Sequence, residues 1–513
     1  MFLQEIRFVF SIPNADFIRN DSLIMKSKRL LFLFLSSLIS VSLSSCGSSQ
    51  TSEEQKTSSS EPAENSIEES SKEETSSIPS SSPLEGEPIR PKIIKDIPLS
   101  SLRFEKLFDE SSYVLLGVTK DDYSSLDGMR LVVPNEYNGL PVTRIAREAF
   151  LDCSFLKSVS ISDNVTFIGE NAFSSCPILE EIVISKGVIA IGDNFVSSCR
   201  VLKSIQVDEK SERFCSLDGV LFSKDKNKLL VYPAGKKDSS FVIPQFVKTI
   251  KAGAFSGAES LTSLRTFESH DKFASYDGVI YSKNGDEIIV FPPGKGLEGS
   301  KAFEIRDGTK SIASNAFESA RFLKEVVIPH GIKKIGKMSF ANCLSLLSIL
   351  IPSTTRMIGQ LAFASCPNLT SIFVYEESKF YSSNDGILYS KDGERLICCP
   401  SGKELGDDFK KDPPFTIPSN VREIEEYAFY GSASLSKVVI PETVNVIGSY
   451  AFKDCASLQK VTISNKVKSV RASIFYGCDL LKEIVSTGDE RPKGWNPAWR
   501  NGCDAMSPFK NEK

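Results

Sequence analysis

Between residues 142 and 485 a pattern of apolar positions repeats, returning at every twenty-third residue wherever units follow one another directly. The unit reads I-x-x-x-A-F-x-x-C-x-x-L-x-x-V-x-I, and its Phe position is filled by Phe150, Phe173, Val196, Phe255, Phe317, Phe340, Phe363, Phe429, Phe452 and Phe475. The spacing is strict within three runs, Phe150 to Val196, Phe317 to Phe363 and Phe429 to Phe475, and longer gaps follow Val196, Phe255 and Phe363. Six residues after this position comes a Leu in every unit, from Leu156 to Leu481, and three further on a Val, Ile or Leu, from Val159 to Ile484. In the Val196 unit Phe195 stands in the Ala position, and Cys199 keeps the phase. A unit this short cannot bury its own apolar face, so neighbouring units must bury it by stacking. The L-x-x-V-x-I stretch alternates like a strand. Stacking then aligns these strands in a parallel sheet at roughly 4.8 Å per coil, with Phe, Leu and Ile pointing inward as ladders. Gly169, Gly192, Gly336, Gly359 and Gly448, with Pro329, Pro352 and Pro441, punctuate the corners of the coils.

The three long gaps hold a second recurrent piece: DGVLFSKDKNKLLVYPAGK, DGVIYSKNGDEIIVFPPGK and DGILYSKDGERLICCPSGK. In each, two short β-rich runs flank a polar turn, which predicts a β-hairpin extending its coil sideways. Asp218, Asp277 and Asp385 each follow their Phe position, Val196, Phe255 and Phe363, at one and the same interval. The D-x-D-x-D-G spacing of a calcium loop is absent, and Asp-Gly is ordinary turn chemistry, so no metal site is expected.

Units such as VIGSYAFKDCASLQKVTI resemble the BspA-like branch of leucine-rich repeats found in bacterial surface proteins, over residues 142–485. The stretch YNGLPVTRIAREAF resembles that family's lead-in, with residues 91–141 as an N-terminal cap, and GWNPAWR around Trp495 and Trp499 resembles its C-terminal end within residues 486–513. The resemblance implies a leucine-rich-repeat solenoid, mainly β with short irregular or helical turns. About ten coils and three hairpin insertions are expected. It also implies a protein that binds an extracellular protein or glycan, such as a host-derived one, and is not an enzyme.

The N-terminus is an address. From Met25 the chain reads MKSKRLLFLFLSSLISVSLSSCGSSQ: three basic residues, an apolar run shorter than a membrane span, then small residues leading to Cys46. Leu43-Ser44-Ser45-Cys46 resembles a bacterial lipobox, which implies cleavage before Cys46 and acylation of its sulfur, hence a lipid-anchored protein on the extracellular face of the cell membrane. Residues 1–24 carry Glu5, Asp16 and Asp21, unlike the start of a signal peptide, so translation is expected to begin at Met25. Residues 46–90 are a Ser/Glu-rich tract too poor in apolar residues to fold, and read as a tether.

Charge narrows the function further. Residues 47–88 carry ten Glu against Lys56 and Lys72, which leaves residues 89–513 at about +2. Within the repeats acidic and basic residues are interspersed, so no basic stripe for nucleic acid is expected. Seven of the 12 Cys share one repeat position (Cys153, Cys176, Cys199, Cys343, Cys366, Cys455 and Cys478), filled otherwise by Ala258, Ala320 and Ser432. The position wants a small buried side chain, so a reduced ladder is expected: stacked Cβ vectors run parallel, which is poor disulfide geometry. The adjacent Cys398 and Cys399 sit in a hairpin strand where other copies are apolar, and are expected to pack. His270 and His330, the only histidines, lie beside no nucleophile or metal motif and read as surface residues. No glycine-rich phosphate loop appears, and no cofactor is expected.

For binding, the position between the last two inward residues of each strand should face outward. It is polar at Ser160 and Gln206 but apolar at Val327, Leu350 and Phe373 in three consecutive units, with Tyr375 nearby. These four are the candidate ligand-binding residues, an exposed apolar stripe of the kind that marks a partner site. The alternative is a structural or antigenic coat protein without a single ligand. Replacing Cys46 with Ala is expected to abolish incorporation of radiolabelled palmitate and move the protein from the detergent to the aqueous phase. Retention in the detergent phase would count against the lipobox.

Overall fold

A computed structural model describes residues 94–119, 125–296, 302–405 and 414–510. Cys46, the apolar leader and the Ser/Glu tract lie outside the described residues. The repeat folds as a solenoid carrying two rows of parallel strands. The L-x-x-V-x-I stretch gives the longer strands, such as Ser348–Ile351 and Lys437–Ile440, and the residues before the Phe position give two-residue strands, such as Lys334–Ile335 and Val446–Ile447. Register is one repeat in both rows: Val438 pairs with Val461 and that with Ile484, while Ile312 pairs with Ile335 and that with Ile358.

Stacking does what the unit cannot do alone. The Leu ladder from Leu156 to Leu481 is at most 3% exposed. Phe rings lie over one another in successive coils, with centroids 4.7 Å apart for Phe317 and Phe340 and 4.9 Å for Phe429 and Phe452. The backbone follows the same register. The N–H of Phe150, Phe340 and Phe429 donates to the carbonyl before the next coil's Phe position, Ala172, Ala362 and Ala451, each at 2.8 Å. No disulfide joins the eleven described cysteines. Cys176, Cys343, Cys366 and Cys455 point their sulfurs at the carbonyl of the preceding coil's Phe, at 3.1–3.2 Å. Burial pushes the Cys343 and Cys455 thiols well above the ordinary thiol range.

The turns are not helical. Among the described residues the one helix is a single 3-10 turn at Leu99–Ser101. Two residues before and two after each Phe position the backbone is left-handed in all ten units, as at Asn171 (φ 52°) and Ser175 (φ 58°), or Gly253 (φ 75°) and Gly257 (φ 78°). Two left-handed residues per turn break a right-handed helix and give consecutive tight turns instead. The corner glycines answer a different demand. Their φ values are ordinary, but a Cβ at Gly336 or Gly359 would collide with the backbone of Ser314 or Lys337 in the preceding coil.

The insertions differ most from expectation. The expected hairpin forms in each, Val220–Ser223 pairing antiparallel with Lys228–Val231 in the first, but a further strand, there Phe214–Leu217, precedes it and makes a three-stranded antiparallel meander. The third strand re-enters the stack and pairs in parallel with the next coil's two-residue strand, Lys228 to Thr249 and Leu229 to Ile250. Tyr232 then makes the Phe-position bond, donating its N–H to Ala254 at 2.7 Å, as Phe291 does to Ala316 and Cys399 to Ala428, both at 2.7 Å. The Tyr232 ring packs on Phe255 and the Phe291 ring on Phe317, with centroids 5.4 and 4.9 Å apart. Each insertion is therefore a coil in its own right, because the following coil's backbone requires a partner at that register.

The chain ends add coils too. Tyr113–Val118 pairs in parallel with Leu140–Ile145, and Met129–Val132 with Leu156–Ser160. At the other end the Trp499 carbonyl accepts from Ile474 at 2.9 Å, and Trp495 Nε1 donates to Val467 at 2.8 Å. The count rises from ten to about 15 coils.

His270 is also corrected. It is fully buried, with Nδ1 accepting the N–H groups of Lys272 and Phe273 at 3.2 and 3.3 Å and Nε2 facing the Pro244 carbonyl at 3.2 Å. Ser211 and Ser378 hold the same place before the first strand of the other two meanders, so the position caps a turn. His330 is exposed at its corner. In urea titrations Gly359→Ala is expected to destabilise the fold by about 2–3 kcal/mol through overpacking. Two residues on, Leu361→Asn is expected to stabilise it by about 0.5–1 kcal/mol, because Leu361 sits at φ 58° and Asn tolerates that region better.

Candidate functional site

The stripe is built by strand register. Leu350 and Phe373 are paired residues of the strands Ser348–Ile351 and Ser371–Val374, and their neighbours Ile349 and Ile372 are fully buried. Val327 holds the same position one coil earlier, on Val326–Val327, where it pairs with Glu304. Val327, Leu350 and Tyr375 are half-buried, and Phe373 is 38% exposed. The alternation thus turns Val327, Leu350 and Phe373 outward at one position of three successive coils, and Tyr375 directly follows the end of the Phe373 strand. The row is bounded at one end by the Glu304 carboxylate. At the other, the third meander closes the strand edge, with the Ile372 N–H donating to Gly386 at 2.9 Å.

That closure recurs in every insertion and explains the Asp-Gly pairs. Asp218 and Gly219 have φ 49° and 75°, Asp277 and Gly278 48° and 70°, Asp385 and Gly386 49° and 71°. Two successive positive φ values make a type I′ turn. It aims the glycine carbonyl at the strand below, accepting from Ile205 (2.9 Å) and Leu264 (2.7 Å) in the first two copies. Each Asp is held by the Lys of its own P-x-G-K: Lys236 to Asp218 at 2.7 Å, Lys295 to Asp277 at 3.2 Å, Lys403 to Asp385 at 3.0 Å. The aspartates are turn formers with a lysine partner. Among the described residues no group of three or more His, Cys, Asp or Glu could hold a metal.

Sequence reasoning missed the clefts. The row of two-residue strands is interrupted at each insertion, and the insertion coil's turn is too short to fill the space between its neighbours. Clefts of about 20, 220 and 430 Å³ lie at the first, second and third interruptions. The first two are pinched by ties between the regular turns on either side. Glu259 pairs with Arg200 at 3.0 Å and also with Arg321, and Ser256 bonds Ser197 at 2.9 Å and Ser319 at 3.3 Å. At the third cleft the positions matching Glu259 and Ser256 and their partners are Pro367 and Ala433, Ala364 and Tyr430, which offer no such ties. Its floor is Ile397, Cys398 and Cys399, its walls Phe363 and Ala364 against Tyr427 and Tyr430, and Glu425 and Arg471 stand at its edge. The available signal was Cys399, which stands in the position held by Tyr232 and Phe291.

Burial pushes the Cys399 thiol up to about 12, so it is protonated at neutral pH. Both ring nitrogens of His270 are engaged in backbone bonds far from the cleft lining.

Residues 137–224, 297–407 and 411–489 match the BspA type leucine rich repeat region in six copies. This is more than half of the chain, which therefore belongs to the BspA-type leucine-rich repeat family. No curated protein matches it in sequence. Among solved structures it is similar to a leucine-rich repeat protein from Eubacterium ventriosum, at 19% identity over 81% of this chain and 96% of that one, TM-score 0.33. It is similar also to a leucine rich cell surface protein from Faecalibacterium prausnitzii, at 21% identity over 77% and 96%, TM-score 0.30. The pneumococcal vaccine antigen PcpA is similar at 18% identity over 79% and 89%, TM-score 0.27. Among the described residues no helix is long and apolar enough to cross a membrane.

The second cleft carries a pH prediction. Glu318 is buried there, bonded by Asn315 Nδ2 at 2.7 Å, and burial raises its carboxyl above the ordinary 4.5. An acid whose folded value is raised favours the fold at low pH and loses that contribution as pH climbs through the raised value. The melting temperature of the protein is therefore expected to fall relative to Glu318→Gln as pH rises above 4.5. A pH-independent difference would contradict this.

Proposed function

We propose that this chain is a lipid-anchored protein of the bacterial cell surface that binds an extracellular protein or glycan, probing host or matrix surfaces as an adhesin. Cys46 carries the anchor and the Ser/Glu tract holds the solenoid away from the membrane. Family membership supports display at the surface, since BspA-like repeats are a form in which bacterial surface proteins occur. One observation carries the binding reading: Val327, Leu350 and Phe373 occupy one outward position on three successive coils, with Tyr375 just beyond the last of these strands. Polar residues fill that position at Ser160 and Gln206, so strand propensity alone does not require apolar ones. A row of partly exposed apolar and aromatic side chains on a rigid sheet loses little side-chain entropy on docking, which suits a recognition surface. No cofactor, metal or nucleic acid enters this reading.

The test is saturable binding to a panel of purified matrix proteins and glycans. Leu350→Ser with Phe373→Ser is expected to weaken the partner's binding by about tenfold or more, as for truncation of central contact residues, with the thermal midpoint preserved. Unchanged affinity would remove the stripe from the site, and absence of saturable binding across the panel would favour a coat protein without a dedicated ligand.

A further inference from the structure

Charges that alternate in sign along the chain are not evenly spread over its surface. From Val326 to Tyr375 there is no Asp or Glu, while Lys333, Lys334, Lys337 and Arg356 are all exposed. The fold stacks them. The Lys333 N–H donates to the Lys310 carbonyl at 2.7 Å, and the Arg356 N–H to the Lys333 carbonyl at 2.8 Å, so three cationic side chains spring from backbones one coil apart. Lys334 stands beside them on the two-residue strand Lys334–Ile335, in register with Ser311 and Met357.

Elsewhere the solenoid places opposite charges one repeat apart: Lys203 with Glu180 at 2.9 Å, Lys460 with Glu483 at 2.7 Å, Lys186 with Asp163 at 2.6 Å. At the start of the basic row Lys310 still follows this rule, with Asp286 at 3.0 Å. Beyond it the rule lapses. Among the described residues no carboxylate lies within ion-pair distance of Lys333, Lys334, Lys337 or Arg356, and the Arg356 guanidinium lies 5.9 Å from the Phe380 ring centroid. Like charges facing each other across a sheet are destabilising, and a bound anion relieves that cost.

We propose that this row binds a linear anionic polysaccharide, sulfated or carboxylated, laid along the solenoid axis. Coil spacing of roughly 4.8 Å is close to the length of one sugar ring, so successive coils meet successive charged units. A nucleic acid fits less well, because single-strand binding needs a series of exposed aromatic platforms and this row has Phe380 alone beside it. The row lies on and beside the two-residue strands, whereas the apolar stripe lies on the longer strands of the same coils, so the two surfaces can fail independently.

The test uses the full chain on a sensor surface, with heparin as the sulfated probe, dextran as the neutral one and single-stranded poly-dT as the nucleic-acid one. Heparin is expected to bind with an affinity that falls steeply with salt, and dextran not at all. The combined Lys333→Gln, Lys334→Gln and Arg356→Gln variant is expected to lose about tenfold or more in affinity and to show a shallower salt dependence. An equal charge change elsewhere, Lys468→Gln, Lys482→Gln and Lys493→Gln, should leave binding intact, as should Leu350→Ser with Phe373→Ser. Lys333→Glu alone provides a second loss variant should the triple one fold poorly. The proposal is overturned if heparin does not bind, if the control triple loses as much, or if poly-dT binds as tightly as heparin.

Discussion

The hydrogen bond from one coil's backbone to the next, always at the same register, is the constraint on which the rest depends. A coil this short has no partner for its buried N–H and C=O groups within itself, and leaving them unpaired would cost more than the coil's apolar burial returns. Each coil therefore needs a neighbour whose groups fall at the same heights. That fixes the period, puts Phe over Phe and Leu over Leu, and turns one position of every unit into a small residue, most often a cysteine whose sulfur faces the Phe carbonyl below. Left-handed residues on both sides of the Phe position and glycines at the pinched corner are consequences of holding that register in so tight a turn.

The insertions obey the same constraint. One and the same interval separates Val196 from Tyr232, Phe255 from Phe291 and Phe363 from Cys399, and in each case the chain returns at the height the next coil requires. The I′ turn caps the open edge of the longer-strand sheet, and the lysine of P-x-G-K holds the turn's Asp. What the insertion coil cannot supply is a full-length turn, so the neighbouring turns either close over it through Glu259 and Ser256 or leave a cleft, as at Cys399.

Buried polar and ionisable groups are used to build the solenoid. His270 caps a turn, the thiols face carbonyls, and Glu318 is closed in by Asn315 and Ser256. What remains for interaction is the outward side of each strand row, rigid because both strand edges are paired. The same coils carry an apolar row on one face and a cationic row on another. Both lie within the acid-free stretch from Val326 to Tyr375.

The sequence by itself determined the class of fold, since a strict period with fixed Phe and Leu positions admits stacking and little else. It also determined the outward direction of Val327, Leu350 and Phe373, because strand alternation is local. It could not show that the insertions were coils: their third strands lack the AF-x-x-C signature, and only the bond from Tyr232 to Ala254 reveals the shared position. Nor could it place His270, whose neighbours in FESHDKF are polar while its ring turns inward to receive two N–H groups. The acid-free stretch from Val326 to Tyr375 is written in the sequence, but the basic row within it appears only on stacking, because residues one repeat apart in sequence become adjacent in space. The clefts, the lysine-held turns and that row exist only once coils are stacked, for each is made of groups brought together from separate stretches of the chain.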